Sequence, residues 1–168
     1  MSFNRFSSVV YFRNFIFGVE DSLVSTVGLL SGVAVASVPK TTILLMGIIL
    51  LLVEGLSMAV GSFLTESSVE EYTHQAGVLA RRNIVSGVIM FFSYFISGFI
   101  PLSPYIIWPV DTALKLSVSF SVGALFILGF IGAKMSGTSV IKDGFRMAIV
   151  GGIAIVVGML AGNFLSKL

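Results

Sequence analysis

The chain has 168 residues, of which 56% are hydrophobic and 11% charged, and its mean hydropathy is +1.04. Such an apolar chain cannot present a water-soluble surface, so the composition indicates an integral membrane protein. The absence of cysteine excludes disulfides, thiolate metal sites and iron–sulfur ligation. The small net charge of +2, with basic residues at the ends of apolar segments, gives no sign of nucleic-acid binding.

Five apolar segments predict an all-α, polytopic membrane protein whose residues 1–168 form a single transmembrane domain. A charge, proline or glycine signal ends each segment, and none shows the alternation of barrel strands. The predicted helices are 14–38, 42–66, 83–101, 112–134 and 144–166. The run from Pro101 to Pro109 is interpreted as the break between the third and fourth helices, and residues 66–82 as a short cytoplasmic acidic extension.

The lysines and arginines of the short loops predict the orientation. The N-terminal side of the membrane carries seven of them, Arg5, Arg13, Arg81, Arg82, Lys134, Lys142 and Arg146, and the opposite side only Lys40, Lys115 and Lys167. We therefore expect a cytoplasmic N-terminus and, after five spans, a C-terminus outside or in a lumen. The expected location is the cell membrane in a prokaryote and a vacuolar or other internal membrane in a eukaryote.

Two adjacent acids, Glu20 and Asp21, precede a run without charge that lasts until Lys40. As a helix, residues 22–38 span roughly 25 Å, against roughly 30 Å for the hydrocarbon core of a bilayer, so Asp21 is expected inside the membrane. A carboxylate at that depth is costly and marks a candidate functional site.

Helix geometry places polar residues of the first two helices at matching depths. Counted from the outer turn, Asp21 falls at roughly 25 Å and Met58 at roughly 24 Å, while Ser25 falls at roughly 20 Å and Glu54 at roughly 18 Å. The small and polar residues of each helix also share one stripe. These stripes are Asn14, Gly18, Asp21, Ser25, Gly28 and Gly32 on the first helix, and Gly47, Glu54, Met58, Gly61 and Thr65 on the second. A polar stripe in lipid must face protein or water, and Gly28 and Gly32 predict close packing against another helix or a second subunit.

Carboxylate oxygens together with a methionine sulfur suit a divalent first-row ion, such as Fe(II) or Mn(II), better than an alkali ion. Poorly solvated carboxylates also take up protons, so metal and protons would displace each other, which is the minimum requirement for an antiporter. The alternative for Asp21 and Glu54 is a pair of satisfied interhelical hydrogen bonds. Glu20 is a candidate for the pathway or for an ion pair with Arg13, and Met58 for a ligand or a core residue.

Beyond the second span, Glu66, Glu70 and His74 recur every four residues, with Glu71 beside them. One helical face with these side chains could collect a divalent cation at the cytoplasmic mouth, and the alternative is a solvated amphipathic extension. His74 is the only histidine, so a hydrolytic zinc site has no ligand set, and no nucleophile and base pair is evident. An enzyme is therefore not predicted.

Longer strings of residues resemble the vacuolar iron transporter family. Arg13–Gly32 (RNFIFGVEDSLVSTVGLLSG) resembles the signature of the family's first helix, and Glu54–Phe63 (EGLSMAVGSF) that of the second. Gly98–Tyr105 and Phe145–Gly152 also match strings of the family. The resemblance implies a five-helix homodimer that moves Fe(II), or in some members Mn(II), out of the cytoplasm in exchange for protons, with the pathway between the two first helices.

Matched residue by residue, the resemblance implies pathway roles for Asp21, Glu54 and Met58. Two features depart from the family. Ser22 stands where typical members carry glycine, beside the additional acid Glu20. The family's cytoplasmic metal-binding domain, an acidic three-helix insertion after the second helix, is missing, because only 16 residues separate Glu66 from Asn83.

The sequence as a whole predicts a homodimeric divalent-metal exporter driven by proton exchange. Its expected partners are the lipid bilayer, a second copy of the chain, protons, and Fe(II) or Mn(II) as transported substrate, with no fixed cofactor. One alternative is a non-transporting structural protein of the same fold, in which amides would replace the acids without loss. The other is a transporter of a different cation or small solute.

Overall fold

The computed structural model describes residues 2–72 and 80–167, and throughout these ranges the regular structure is helical. The helices are α1 (Ser2–Val35), α2 (Lys40–Tyr72), α3 (Ala80–Ser97), α4 (Phe99–Ile107), α5 (Val110–Ser136) and α6 (Val140–Leu165). Because α3 and α4 follow each other in one line, five stretches are long and apolar enough to cross a membrane: Ser8–Val35, Lys40–Val69, Arg81–Ile107, Val110–Ser136 and Val140–Leu165. The predicted all-α fold with five spanning helices is confirmed.

α1 is the central helix of the bundle. It packs against α3, α5 and α6, and contacts α2 less closely. Its residues Leu23, Val27 and Leu30 are fully buried. α2 and α6 instead turn large apolar side chains outward, among them Leu56 and Leu160, and in a bilayer that surface meets lipid. Of the five spans, the one formed by α1 therefore has the largest buried share.

The predicted end of the third helix at residue 101 is wrong, because the helix continues to Ile107. Pro104 has no N–H to bond the carbonyl of Ile100, and this would ordinarily weaken a helix. The hydroxyl of Ser103 donates to that carbonyl over 3.1 Å and takes the place of the missing N–H. Membrane helices tolerate proline where a neighbouring hydroxyl bonds the freed carbonyl. The break falls only at Pro109.

Gly98 separates α3 from α4, and neighbouring side chains pack closely against it. A Cβ atom at this position would lie 2.0 Å from Cδ2 of Leu51 and 2.8 Å from Oγ of Ser22. Ser22 is fully buried, and its hydroxyl donates to the carbonyl oxygen of Tyr94 over 2.6 Å. The serine that departs from the family pattern is therefore bonded to α3 and fits against a residue without a side chain.

Several helices are longer than the apolar runs that predicted them. α1 begins at Ser2 instead of 14, and α2 extends to Tyr72 instead of 66. Hydropathy marks the length of helix that lipid can cover, whereas the backbone hydrogen bonds continue into the aqueous part. Of the predicted acidic extension, residues 66–72 belong to α2, and residues 73–79 lie outside the described part of the chain.

Candidate functional site: the cleft between α1 and α2

Antiparallel pairing brings the polar residues of α1 and α2 together. The side-chain amide of Asn14 donates to Oγ of Ser62 over 2.9 Å. This register sets Asp21 opposite the turn of α2 that carries Glu54 and Met58. All three of these side chains are half-buried.

Asp21 and Glu54 form what we call the acid pair, because their carboxyl groups are close enough to interact electrostatically. Both lie well inside their spans, Ser8–Val35 and Lys40–Val69. Two like charges repel where water is scarce, so a cation bound between the two carboxylates would relieve this repulsion. Proximity and depth together make the acid pair the centre of the candidate site.

Tyr94 of α3 joins this site, although sequence reasoning missed it. Its side chain is fully buried, and its hydroxyl shares a 2.8 Å hydrogen bond with Oγ of Ser25. The phenol also interacts electrostatically with both members of the acid pair. A tyrosine in the middle of an apolar span needs a partner for its hydroxyl, and this requirement is the signal that could have found it.

A cleft of about 600 Å³ opens between α1 and α2 on the side of the acid pair that faces Arg13 and Glu66, and we call it the α1–α2 cleft. Its walls offer oxygen atoms and the sulfur atoms of two methionines. They are formed by Arg13, Asn14, Phe17, Ser57, Met58, Gly61, Ser62, Thr65, Glu66 and Met90. Along α2 the lining runs from Glu66 to Ser57, one turn short of Glu54. The cleft therefore leads to the acid pair.

Arginines bind Glu66 at the end of the cleft. Its Oε1 atom accepts a hydrogen bond from Arg13 of α1, and its Oε2 atom lies 3.9 Å from Nη2 of Arg82 of α3. Of the four residues predicted at the cytoplasmic mouth, Glu66 is thus held in an ion-pair network, and Glu71 is exposed. The side chain of Glu70 and the whole of His74 lie outside the described residues.

Glu20 occupies a different site from Asp21, because successive residues of a helix point about 100° apart. It lines a second cleft, of about 580 Å³, between α1, α5 and α6, together with Arg146 and Asp143. Glu20 interacts electrostatically with Arg146, whereas Arg13 is hydrogen-bonded to Glu66. The structure therefore places Glu20 beside Arg146 and away from the α1–α2 cleft.

Gly28 and Gly32 contact α6 of the same chain. A Cβ atom at Gly32 would lie 2.5 Å from the carbonyl oxygen of Gly158, and one at Gly162 only 1.9 Å from that of Gly32. The two backbones are therefore in direct contact. Both glycines also line an apolar groove of about 570 Å³ beside this contact.

Acids and histidines do not gather into a complete metal site in the part of the chain that the structure describes. No group of three or more such residues lies together among residues 2–72 and 80–167. The acid pair and Met58 offer two carboxylates and one thioether, which is fewer than the four to six ligands that divalent metals usually take. One copy of the described chain thus supplies about half of a ligand set.

Comparison with protein families gives a match over nearly the whole chain. The VIT family model matches residues 12–84 and 74–163. The chain belongs to the VIT family. Together with the five apolar spans, this membership identifies an integral, multi-pass membrane protein.

Individual relatives are similar at lower identity. Vacuolar iron transporter 1 of Tulipa gesneriana is 22% identical over 210 residues, which cover 89% of this chain and 85% of the relative. An uncharacterized protein of Methanocaldococcus jannaschii is 26% identical, with coverage of 86% and 84%. Vacuolar iron transporter 1 of Arabidopsis thaliana is 33% identical over 75 residues, which are 44% of this chain and 30% of that protein.

The matches also show where this VIT family member differs in length. The family model matches in two segments that overlap at residues 74–84, after the end of α2 and into the start of α3. The alignment with the tulip protein extends over 210 positions, although the chain has only 168 residues, so part of that relative has no counterpart here. The overlap of the two matched segments lies where the sequence predicts the loss of the family's cytoplasmic insertion.

Proposed function

We propose that this VIT family protein exports a divalent metal ion, Fe(II) or Mn(II), from the cytoplasm in exchange for protons. The observation that supports the proposal is the acid pair, Asp21 and Glu54, whose carboxyl groups interact electrostatically within the membrane-spanning part of α1 and α2. Several relatives are named vacuolar iron transporters, and this agrees with a metal substrate.

The physical basis for exchange is the repulsion between the two carboxylates. A divalent cation neutralises both of them at once, and so do two protons. The empty, doubly charged pair costs free energy in a medium of low dielectric constant, so each kind of cation leaves most easily when the other replaces it. Exchange therefore needs no separate coupling device beyond the acid pair.

The same geometry favours a pathway between two copies of the chain. Asp21, Glu54 and Met58 are each half-buried in one copy, so part of every side chain remains available to a neighbour. A second copy that presents the same three side chains would raise the ligand number to six, which suits divalent first-row metals.

The direction of transport follows from the predicted orientation. Arg13 and Arg82 lie at the end of the α1–α2 cleft that is farther from the acid pair, and basic residues favour the cytoplasmic side. Metal would therefore enter the cleft from the cytoplasm and leave on the opposite side. Ser25 and Tyr94, bonded to each other beside the acid pair, are proposed to orient the ligands.

Flux measurements in liposomes test the proposal. Purified protein should carry Fe(II) or Mn(II) to a metal-sensitive dye and move protons in the opposite direction. Asp21→Asn and Glu54→Gln should each abolish both fluxes, because one carboxylate cannot neutralise a divalent ion. Asp111→Asn is the matched control, because this exposed acid lies at the start of α5.

Each remaining outcome has a clear meaning. Full flux in the amide variants would contradict the proposed role of the acid pair. Absence of any metal or proton flux in the unmodified protein would favour a structural protein of the same fold. Competition among metals in the same liposomes separates Fe(II) or Mn(II) from another cation as the preferred substrate.

A further inference from the structure

The Arg13–Glu66 ion pair lies at the one point where a side chain of α1 reaches across the α1–α2 cleft to an acid of α2 within the described residues. Both residues line the cleft, on the side away from the acid pair. Glu66 is buried, with 6% of its side chain exposed, whereas 62% of the Arg13 side chain is exposed. Arg13 therefore covers Glu66 from the solvent side.

The two arginines at Glu66 have different environments. Arg82 faces Oε2 from α3, and only 8% of its side chain is exposed. Burial holds the Glu66 and Arg82 side chains in place, because separating buried opposite charges leaves one of them uncompensated. Arg13 can leave at lower cost, because most of its side chain is already in contact with solvent and Arg82 stays beside Glu66 to compensate its charge.

We propose that Arg13 is a removable plug of the α1–α2 cleft, a tethered cation that occupies Glu66 until an incoming divalent cation displaces it. This inference rests on the proposed function, because it takes the cleft to be the route to the acid pair. A guanidinium group and a divalent metal ion compete for the same carboxylate oxygen atoms. The hydrogen bond from Asn14 to Ser62, one turn deeper, holds the two helices together beneath the plug.

The chain offers a direct reporter of access, because it contains no cysteine. Gly61 lines the cleft on the far side of Glu66, and a Cβ atom there would meet no atom within 4 Å. Gly61→Cys therefore introduces a single thiol without disturbing the packing. Its rate of reaction with a charged, membrane-impermeant thiol reagent, in nanodiscs open to solution on both faces, measures how often the plug opens.

Arg13→Gln in the Gly61→Cys chain should raise this rate about tenfold. This corresponds to a loss of about 1.4 kcal/mol in the free energy that favours the closed state over the open one. Arg13→Ala should give the same increase. Arg81→Gln is the matched control, since it removes one exposed arginine from the same end of the bundle and should leave the rate unchanged. A cysteine at the exposed Ser68, beyond the plug, should react equally with and without Arg13.

An unchanged Gly61→Cys rate in both Arg13 variants would overturn the plug, as would an equal acceleration by Arg81→Gln. Labelling requires no transport, so this result is independent of the flux assay. A plug that opens faster in a protein without metal flux would leave the inference standing and defeat the proposed function. Normal metal flux with no effect of Arg13 on labelling would do the reverse.

Discussion

The two sides of α1 pack against their neighbouring helices in opposite ways. Against α6, glycines bring two backbones into contact: a Cβ atom at Gly158 would lie 2.0 Å from the carbonyl oxygen of Gly28. Against α2, a cleft of about 600 Å³ separates the helices below the acid pair, and polar side chains bridge it. One side of α1 is thus closely packed against α6, and the other side borders the α1–α2 cleft, which polar side chains bridge.

This division also explains why one stripe on α1 serves several neighbours. The sequence predicts a single seam, but in the structure Asn14 bonds to α2, Ser25 to α3, and Gly28 packs on α6. Packed helices generally cross at an angle, so a stripe that is straight on one helix can meet a different neighbour at each height. Small residues allow the close contact between α1 and α6, and polar residues line the α1–α2 cleft.

The strongest test of the close-packed joint is Gly158→Val. Its side chain would collide with the backbone of Gly28, which cannot move without displacing α1, so the folded protein should be lost. Size-exclusion chromatography of the detergent-solubilised variant would show aggregate in place of a single peak. Gly152→Val is the control, because a Cβ atom there meets nothing within 4 Å. A monodisperse Gly158→Val protein would mean that α1 and α6 are not held this closely.

Met58→Leu tests the α1–α2 cleft without changing the contact between α1 and α6. Leucine keeps most of the apolar volume and removes the sulfur, so thermal stability should change little. If the thioether binds the metal, the concentration for half-maximal flux should rise roughly tenfold, about 1.4 kcal/mol of lost binding. Met147→Leu, in the second cleft, is the control and should leave the flux unchanged. Equal metal dependence in both variants would make Met58 a packing residue.

The sequence alone could predict the five spans and the neighbouring depths of Asp21 and Glu54, because a short turn and helix geometry determine the register of two adjacent helices. It could not predict Tyr94 at the same place, because that residue is on α3, and no local pattern shows which face α3 presents. For the same reason the partner of Gly28 was open between a second subunit and another helix. The choice of neighbour depends on how the whole bundle packs.

Tyr94→Phe tests the hydrogen bond between Tyr94 of α3 and Ser25 of α1, beside the acid pair. The ring still fills the same space, but Ser25 loses its hydrogen-bond partner at a cost of about 1 kcal/mol. For a chain of this size the thermal midpoint should fall by roughly 2–4 °C. Metal flux should fall by several-fold, since Ser25 and the acid pair lose a fixed neighbour. Tyr72→Phe is the control, because that tyrosine is exposed at the end of α2. Unchanged flux with the lower midpoint would make the hydroxyl purely structural.

Ser62→Ala should have the smallest effect, and it separates the two bridges across the cleft. The variant removes the acceptor of the Asn14 amide, and since Ser62 is half-buried, water can replace it in part, so the loss of stability should be about 0.5 kcal/mol. The Gly61→Cys thiol should then react only slightly faster than in the parent chain, because Arg13 still covers Glu66. If this reaction accelerated as much as it does with Arg13→Gln, the hydrogen bond between Asn14 and Ser62 would be what closes the cleft, and the ion pair would have no part in the closure. Additive effects of the two changes would instead assign each bridge its own share of the closure.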